Sequence, residues 1–217
     1  MYLMTAMRPD LASSVGIISR YLSNPSVEHL TAAKRILRYV KGTKDYGLTL
    51  GSQDKDLNLR GYADADWGND VDTRKSTSGF TFLAGNGAIS WCSKRQSTIA
   101  LLTMEAEYIT LCASVQEAVW LRSLLAEIKY RRFSSEMPTT IFEDNQSCIA
   151  LATNPVHHAR TKHIDIKCHF IRDHADKEDI DIMYCPMEEM VADVLMKLLT
   201  QPAFEVHIGA LSVGVHE

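Results

Sequence analysis

No run of about 18 apolar residues, the length a membrane-spanning helix needs, occurs in the 217-residue chain. A transmembrane segment is therefore not expected. The first ten residues, MYLMTAMRPD, turn polar too early for a secretory signal, so the expected location is intracellular, in the nucleus or a cytoplasmic particle, and not outside the cell. Cysteine is sparse and badly spaced for cross-linking. Cys92, Cys112, Cys148, Cys168 and Cys185 are odd in number and nowhere form CxxC, which argues against a disulfide framework and against a zinc knuckle. Small thiols, buried or half-buried in a reducing compartment, are the expectation. There is also no internal repeat and no low-complexity tract.

What is present is an ordinary globular composition, 46% hydrophobic and 23% charged, with a net charge of −4 that is unevenly spread. Residues 1–50 carry seven basic groups against three acidic ones, a surplus of +4 that leaves −8 on the remainder. A basic front and an acidic body suit a nucleic-acid partner and a metal site, respectively. Two helices are predicted at the front. The first spans residues 9–23, opened by Pro9 and broken by Asn24-Pro25. The second runs from a Ser26 cap to about Lys41, with Leu30, Ala33, Leu37 and Val40 on its apolar face and Lys34, Arg35, Arg38 and Lys41 on the other. Those four cations make either a solvated face or a phosphate contact.

Beyond the front, period-two segments predict strands ending near Asp64, over residues 79–84 and 88–92 as a hairpin around Gly85-Asn86-Gly87, over 140–142 and over 180–184. Helical periodicity predicts a long helix from Thr103 to about Tyr130, helices near 144–152 and 164–174, and a last helix over 188–199. Three adjacent strands followed by alternating helices and strands imply an α/β fold with a mixed sheet, half antiparallel and half parallel. Trp67, Trp91 and Trp120 are expected in its core.

Four acids stand where strands end or helices begin or run: Asp64, Glu107, Asp144 and Asp193. In such a sheet the carboxyl ends of adjacent parallel strands meet at one crevice. Carboxylates gathered there suit hard cations, and two such ions about 4 Å apart can support phosphodiester cleavage by a metal-bound water.

The sequence words GYADADW (61–67), TRKSTSGF (73–80), ISWCSKRQST (89–98), EAEY (105–108), EDNQSCIALA (143–152), NPVHHARTKHIDIKCHFIRD (154–173) and VADVLMK (191–197) follow in this order. Together they resemble the ribonuclease H domain of copia-type LTR retrotransposon Pol polyproteins, over nearly the whole chain. The resemblance implies a ribonuclease H-like mixed five-stranded sheet flanked by helices and preceded by two N-terminal helices. Residues 1–50 look like the end of a reverse transcriptase and its connection, 51–200 like the ribonuclease H domain, and 201–217 like a C-terminal tail. By this likeness Asp64, Glu107, Asp144 and Asp193 are the catalytic acids and ligands of Mg2+ or Mn2+, with Asp193 the most peripheral. Asp66 and Glu105 are their near decoys.

For substrate, the resemblance implies an RNA–DNA hybrid, with the reverse transcriptase part of the same polyprotein as a partner. Asn145 and Gln146 are candidates for sensing 2′-hydroxyls, though Asn145 is equally suited to capping a helix. Lys94, Arg95 and Gln96 are candidates for the DNA strand's phosphates, or else an exposed turn. Arg160, Lys162 and His163 are candidates for phosphate contact within a histidine-rich segment that includes His157, His158, His169 and His174 and is poorly spaced for zinc. Two departures stand out. The link Cys185–Glu189 before the last predicted helix lacks a histidine, and Met187 and Met196 stand where the family usually has small polar residues.

Met1 falls within the reverse transcriptase-like stretch, so the expectation is a truncated ribonuclease H piece unable to polymerise DNA by itself. Its front helices have lost an original partner; they are expected to pack on the body or be mobile, and to be dispensable for the metal site. The expected activity is cleavage of the RNA strand of hybrids. A silent remnant that at most binds nucleic acid, or a structural tether, are the alternatives.

Overall fold

The computed structural model describes residues 1–51, 58–128, 137–153 and 162–215, with side chains of 162–166 left out. In chain order the elements are α1 (Tyr2–Ala6), a 3-10 turn at Pro9–Leu11, α2 (Ala12–Ser19), α3 (Val27–Gly42), β1 (Tyr46–Leu48), β2 (Leu59–Asp66), β3 (Thr77–Ala84), β4 (Gly87–Arg95), α4 (Thr103–Glu127), β5 (Thr139–Glu143), α5 (Gln146–Thr153), α6 (Lys162–Asp176) and β6 (Ile180–Tyr184). Two 3-10 turns, Met187–Glu189 and Val191–Leu195, then lead to α7 (Gln201–Ala210) and β7 (Val213–Val215).

The main sheet has five strands in the order β4-β3-β2-β5-β6. β2, β3 and β4 form an antiparallel meander, whereas β5 runs parallel to β2, and β6 parallel to β5. This is the ribonuclease H-like mixed sheet expected from the sequence. The central pair, β2 and β5, points its two carboxyl ends the same way, which is the arrangement that opens a crevice beyond them.

β3 is buried along its full length. The pleat sends Phe80, Phe82 and Ala84 to one face and Leu83 to the other, so a strand covered on both sides loses the alternation of polar and apolar residues. On the first face α4 packs through Leu111, Val115, Ala118 and Leu121, joined by Cys148 and Ala152 of α5 and Cys168 and Ile171 of α6. On the second face Met4, Leu11 and Ala12 from the front meet Leu83, Ala88, Val191, Val194 and Leu195, and then Ile208, Leu211 and Val213 from the last stretch.

The front therefore shares a core with the sheet. Arg8 is 5% and Asp10 4% exposed. The guanidinium grips the Asp10 carboxylate with both arms, at 2.9 and 2.7 Å, and donates to the Thr43 carbonyl at 2.9 Å, while the Tyr39 hydroxyl donates to Asp10 at 2.8 Å. Paired in this way, the two charges are tolerable in the interior. Residues 201–217, read from the sequence as a tail, contribute α7 and the strand β7, which pairs antiparallel with β1.

Three sequence expectations are corrected. The predicted last helix over 188–199 is two 3-10 turns. Val191 to Leu195 are all buried and serve the core on one side and a small cluster with Cys185, Met190 and Met196 on the other, so no solvent face remains for an amphipathic helix. α3 begins at Ser26, whose hydroxyl accepts from the His29 N–H, but it presents Ile36, Tyr39 and Val40 to the core and leaves Leu30 and Leu37 exposed. Trp67 is 48% and Trp120 56% exposed, and only Trp91 is half-buried, its indole N–H donating to the Met4 carbonyl at 2.7 Å. All five cysteines are free, four of them buried.

Candidate active site

Asp64 lies near the end of β2, opposite Gly79 of β3. Glu107 stands in the second turn of α4, which the Glu105 carboxylate helps to start by accepting the Leu101 N–H at 2.8 Å. Asp144 follows β5 directly. These three elements bring carboxylate oxygens of Asp64, Glu107 and Asp144 to within 4.8 Å of one another, the one such group of potential metal ligands among the described residues. The Ala65 N–H fixes two of them, donating to Asp64 Oδ1 and to Glu107 Oε2, both at 2.7 Å. Asp64 is 1% and Glu107 3% exposed, whereas Asp144 is half-buried.

Asp193 reaches the same place from the 3-10 turn Val191–Leu195, where one lysine joins it to Asp64. Two further residues that sequence reasoning passed over are at the site. Lys197 extends its ammonium to both Asp64 (2.6 Å) and Asp193 (2.7 Å). Glu143, at the end of β5, is fully buried; its Oε1 accepts the Asn145 N–H at 3.2 Å, and its Oε2 has no partner among the described residues. Both left a signal. Lys197 is one helical turn beyond Asp193, and Glu143 falls on the same inward parity of β5 as Thr139 and Ile141.

So many acids around one lysine cannot all stay charged. Burial first, then the charges of Asp64, Glu143 and Asp144, push the Glu107 carboxyl up to about 11. Burial and the neighbouring Asp64 carboxylate raise Asp193 to about 7. Burial and Asp64 raise Asp144, and burial drives Glu143 well above the carboxylate range. Asp64 goes the other way: burial opposes its charge, but the neighbouring Asp193 carboxyl and the Lys197 ammonium outweigh it. A crowded cluster of oxygen donors, with no sulfur or imidazole among them and with several carboxyls raised by burial and mutual repulsion, fits a divalent cation whose charge would relieve that repulsion. Asp66, bound by the Asn69 amide, and Glu105 are outside the group, as their decoy status implied.

No protein-family model matches the chain. The retrovirus-related Pol polyprotein from transposon TNT 1-94 of Nicotiana tabacum is 42% identical over 205 residues, covering 94% of this chain and 15% of that protein. The corresponding polyprotein from transposon RE1 of Arabidopsis thaliana is 38% identical over 198 residues, 91% of this chain and 13% of that protein. Over most of its length the chain is homologous to a segment of retrovirus-related Pol polyproteins from plant transposons. It spans only a small part of the length of these Pol relatives. Among solved structures, LC11-RNase H1, isolated from compost, aligns with a TM-score of 0.48 and 14% identity, over 70% of this chain and 98% of that one. The fold assignment stands on the sheet order and strand directions.

The remaining candidates from the Pol-like words fall in different settings. Lys94 is exposed at the end of β4. Arg95, beside it, is paired with Asp70 at 2.8 Å. Gln96 is a correction: it is 7% exposed, and its amide donates to Ser78 Oγ and the Ala106 carbonyl, tying α4 to β3 where no phosphate can reach. Asn145 caps α5, its Oδ1 accepting the Cys148 N–H at 3.0 Å, and Gln146 is exposed on the first turn. Arg160, His157 and His158 lie outside the described residues. Lys162 and His163 begin α6, with their side chains outside the description. His169 is exposed, while His174 binds Asp179 at 2.8 Å.

Asp70 deserves a test of its own because it anchors Arg95. Burial alone would raise its pKa, but Arg95, the Thr73 N–H and Arg20 at 3.3 Å hold it well below the ordinary 3.8. A depressed carboxyl contributes stability that is present above the ordinary value and lost as pH falls through it and below. Asp70→Asn is therefore expected to melt below the parent at pH 7, by a margin that narrows as the pH is taken from 5 toward about 3. A margin independent of pH would show that the ion pairs are not its source.

Proposed function

We propose that the chain is the ribonuclease H portion of a retrotransposon Pol polyprotein and hydrolyses the RNA strand of RNA–DNA hybrids. The observation that carries this is the convergence of Asp64, Glu107 and Asp144 within 4.8 Å at the carboxyl ends of two parallel strands. Homology to a segment of retrovirus-related Pol polyproteins supports it. Asp64, Glu107 and Asp144 would hold one Mg2+ or Mn2+, and Asp64 with Asp193 offers a second position. When bound, such ions supply an activated water and counter-charge for the phosphate.

The chain's own residues then orient and recognise. The Ala65 N–H locks the Asp64 and Glu107 oxygens in place. The Asn145 cap fixes the turn that carries Asp144. Gln146, exposed beside Asp144, is suited to an RNA 2′-hydroxyl, and Lys94 to phosphates of the DNA strand. Arg160, Lys162 and His163 are proposed as further phosphate contacts. Residues 1–50 correspond to the end of the reverse transcriptase region, which would be the partner of this domain in the intact polyprotein.

The decisive assay compares four labelled duplexes of one sequence in Mg2+. The hybrid should be cut in its RNA strand, double-stranded RNA cut poorly, double-stranded DNA spared, and a chelator should stop the reaction. Equal cleavage of duplex DNA would make this a general nuclease on the same fold and would remove the strand assignment.

A further inference from the structure

The acid cluster carries its own cation. Lys197 Nζ lies 2.6 Å from Asp64 Oδ2 and 2.7 Å from Asp193 Oδ1. The Lys197 N–H donates to the Asp193 carbonyl at 2.9 Å, so the turn that presents Asp193 also presents the lysine. Among the described residues neither Glu107 nor Asp144 is paired with a cation.

A divalent ion such as Mg2+ sits about 2.0–2.1 Å from its carboxylate oxygens. Between Asp64 Oδ2 and Asp193 Oδ1 it would have to occupy the space of the ammonium, which is hydrogen-bonded to Asp193 Oδ1 and ion-paired with Asp64 Oδ2. Like charges at such separation repel strongly, even with partial screening. The lysine and the ion therefore exclude one another at this position. Toward Glu107 and Asp144 the cluster holds no ammonium among the described residues, so an ion there meets no such competitor. Lysine's flexible four-carbon stem lets the ammonium leave without moving the turn.

We infer that Lys197 is an internal competitor for a divalent ion at the Asp64–Asp193 position, so that the centre loads in two steps. The Asp64, Glu107 and Asp144 position fills first, and the Asp64–Asp193 position fills only when the lysine is displaced. The inference rests on the metal reading proposed above. It gives the lysine a role that the charge of the four acids alone does not require: separating the affinities of two neighbouring sites.

The test is calorimetric titration of the full chain with Mn2+, alongside thermal melts without metal. The parent should bind one ion tightly and a second at least about tenfold more weakly. Lys197→Met, similar in length and uncharged, should strengthen the weaker affinity about tenfold and leave the tighter one nearly unchanged. Lys197→Arg, keeping the charge, should behave like the parent. Without metal, Lys197→Met should melt below the parent, because the acids lose their only close cation among the described residues, and Mn2+ should restore much of the difference. Should the methionine variant fail to fold, Lys197→Gln carries the same expectation and retains a donor for Asp193. An unchanged weaker affinity in the uncharged variants, or two ions of equal affinity in the parent, would overturn the inference and leave the metal reading standing. A parent that binds no Mn2+ would overturn the metal reading itself.

Discussion

Asp144→Asn is expected to abolish hybrid cleavage and to remove most of the rise in melting temperature that Mg2+ or Mn2+ gives the parent protein. Asp144 is the half-buried member of the three, lying in the turn between β5 and α5, so an isosteric amide leaves the packing in place. What changes is charge. The carboxyl is raised by burial and by the neighbouring Asp64, so its removal relieves repulsion in the metal-free protein. The variant without metal should then melt at or slightly above the parent. A saturating ion, at about 100 times its dissociation constant, stabilises by about 2.7 kcal/mol, or roughly 5–10 °C for a chain of this size. Losing one of three ligands should erase most of that. Cleavage should fall by about a thousandfold or more, as expected when several kcal/mol of charge stabilisation are lost. A variant that cleaves like the parent, or that keeps the full metal-induced shift, would end the assignment of Asp144 as a ligand.

The strands and helices that carry these acids were legible from periodicity because each buries one face, or two, against a continuous core. β3, β4 and β5 announce themselves by β-branched and aromatic residues between turns, and α4 by Leu111, Val115, Ala118 and Leu121. The approach of Asp64, Glu107 and Asp144 could be anticipated from strand-end logic together with the resemblance to Pol proteins. Other features depend on neighbours distant in the chain. Gln96 looks like a polar surface residue until Ser78 and Ala106 supply its partners. Val191–Leu195 has the composition of a helix, but burial on two sides selects a tighter turn. Met196 sits close over Gly79, where a Cβ would collide with its Cε, so the departure from the small residue usual in the family is accommodated from the sheet side. Glu143 and Lys197 were missed although their spacing pointed to the site, because spacing alone does not say that a charge is buried against Asp64 and Asp193 until the groups around it are placed.

The same lesson applies to the front of the chain, which the sequence suggested was dispensable for the metal site. Deleting residues 1–45 is now expected to unfold the protein. The deletion removes Met4, Leu11 and Ala12 from the second core and exposes Leu83, Ala88, Val194 and Leu195, which they cover. Truncating a single buried Leu or Met to Ala costs about 2–5 kcal/mol, and whole side chains are lost here. The buried Arg8–Asp10–Tyr39 network goes as well. These losses together match or exceed the roughly 5–15 kcal/mol that holds a typical domain together. The turn Val191–Leu195, which positions Asp193 and Lys197, rests directly on that core. The truncated protein should therefore show no cooperative melt and no metal-induced stabilisation, read by near-ultraviolet circular dichroism. Leu11→Ala gives a milder comparison, a folded protein destabilised by about 2–5 kcal/mol. Neutralising Lys34, Arg35, Arg38 and Lys41 to Gln separates binding from folding, since all four are exposed on the outer face of α3. That protein should melt near the parent, and any weakening of hybrid binding should shrink as salt rises. A deletion protein that melts cooperatively at the parental temperature, with its metal shift intact, would mean that the first 45 residues are an appendage after all.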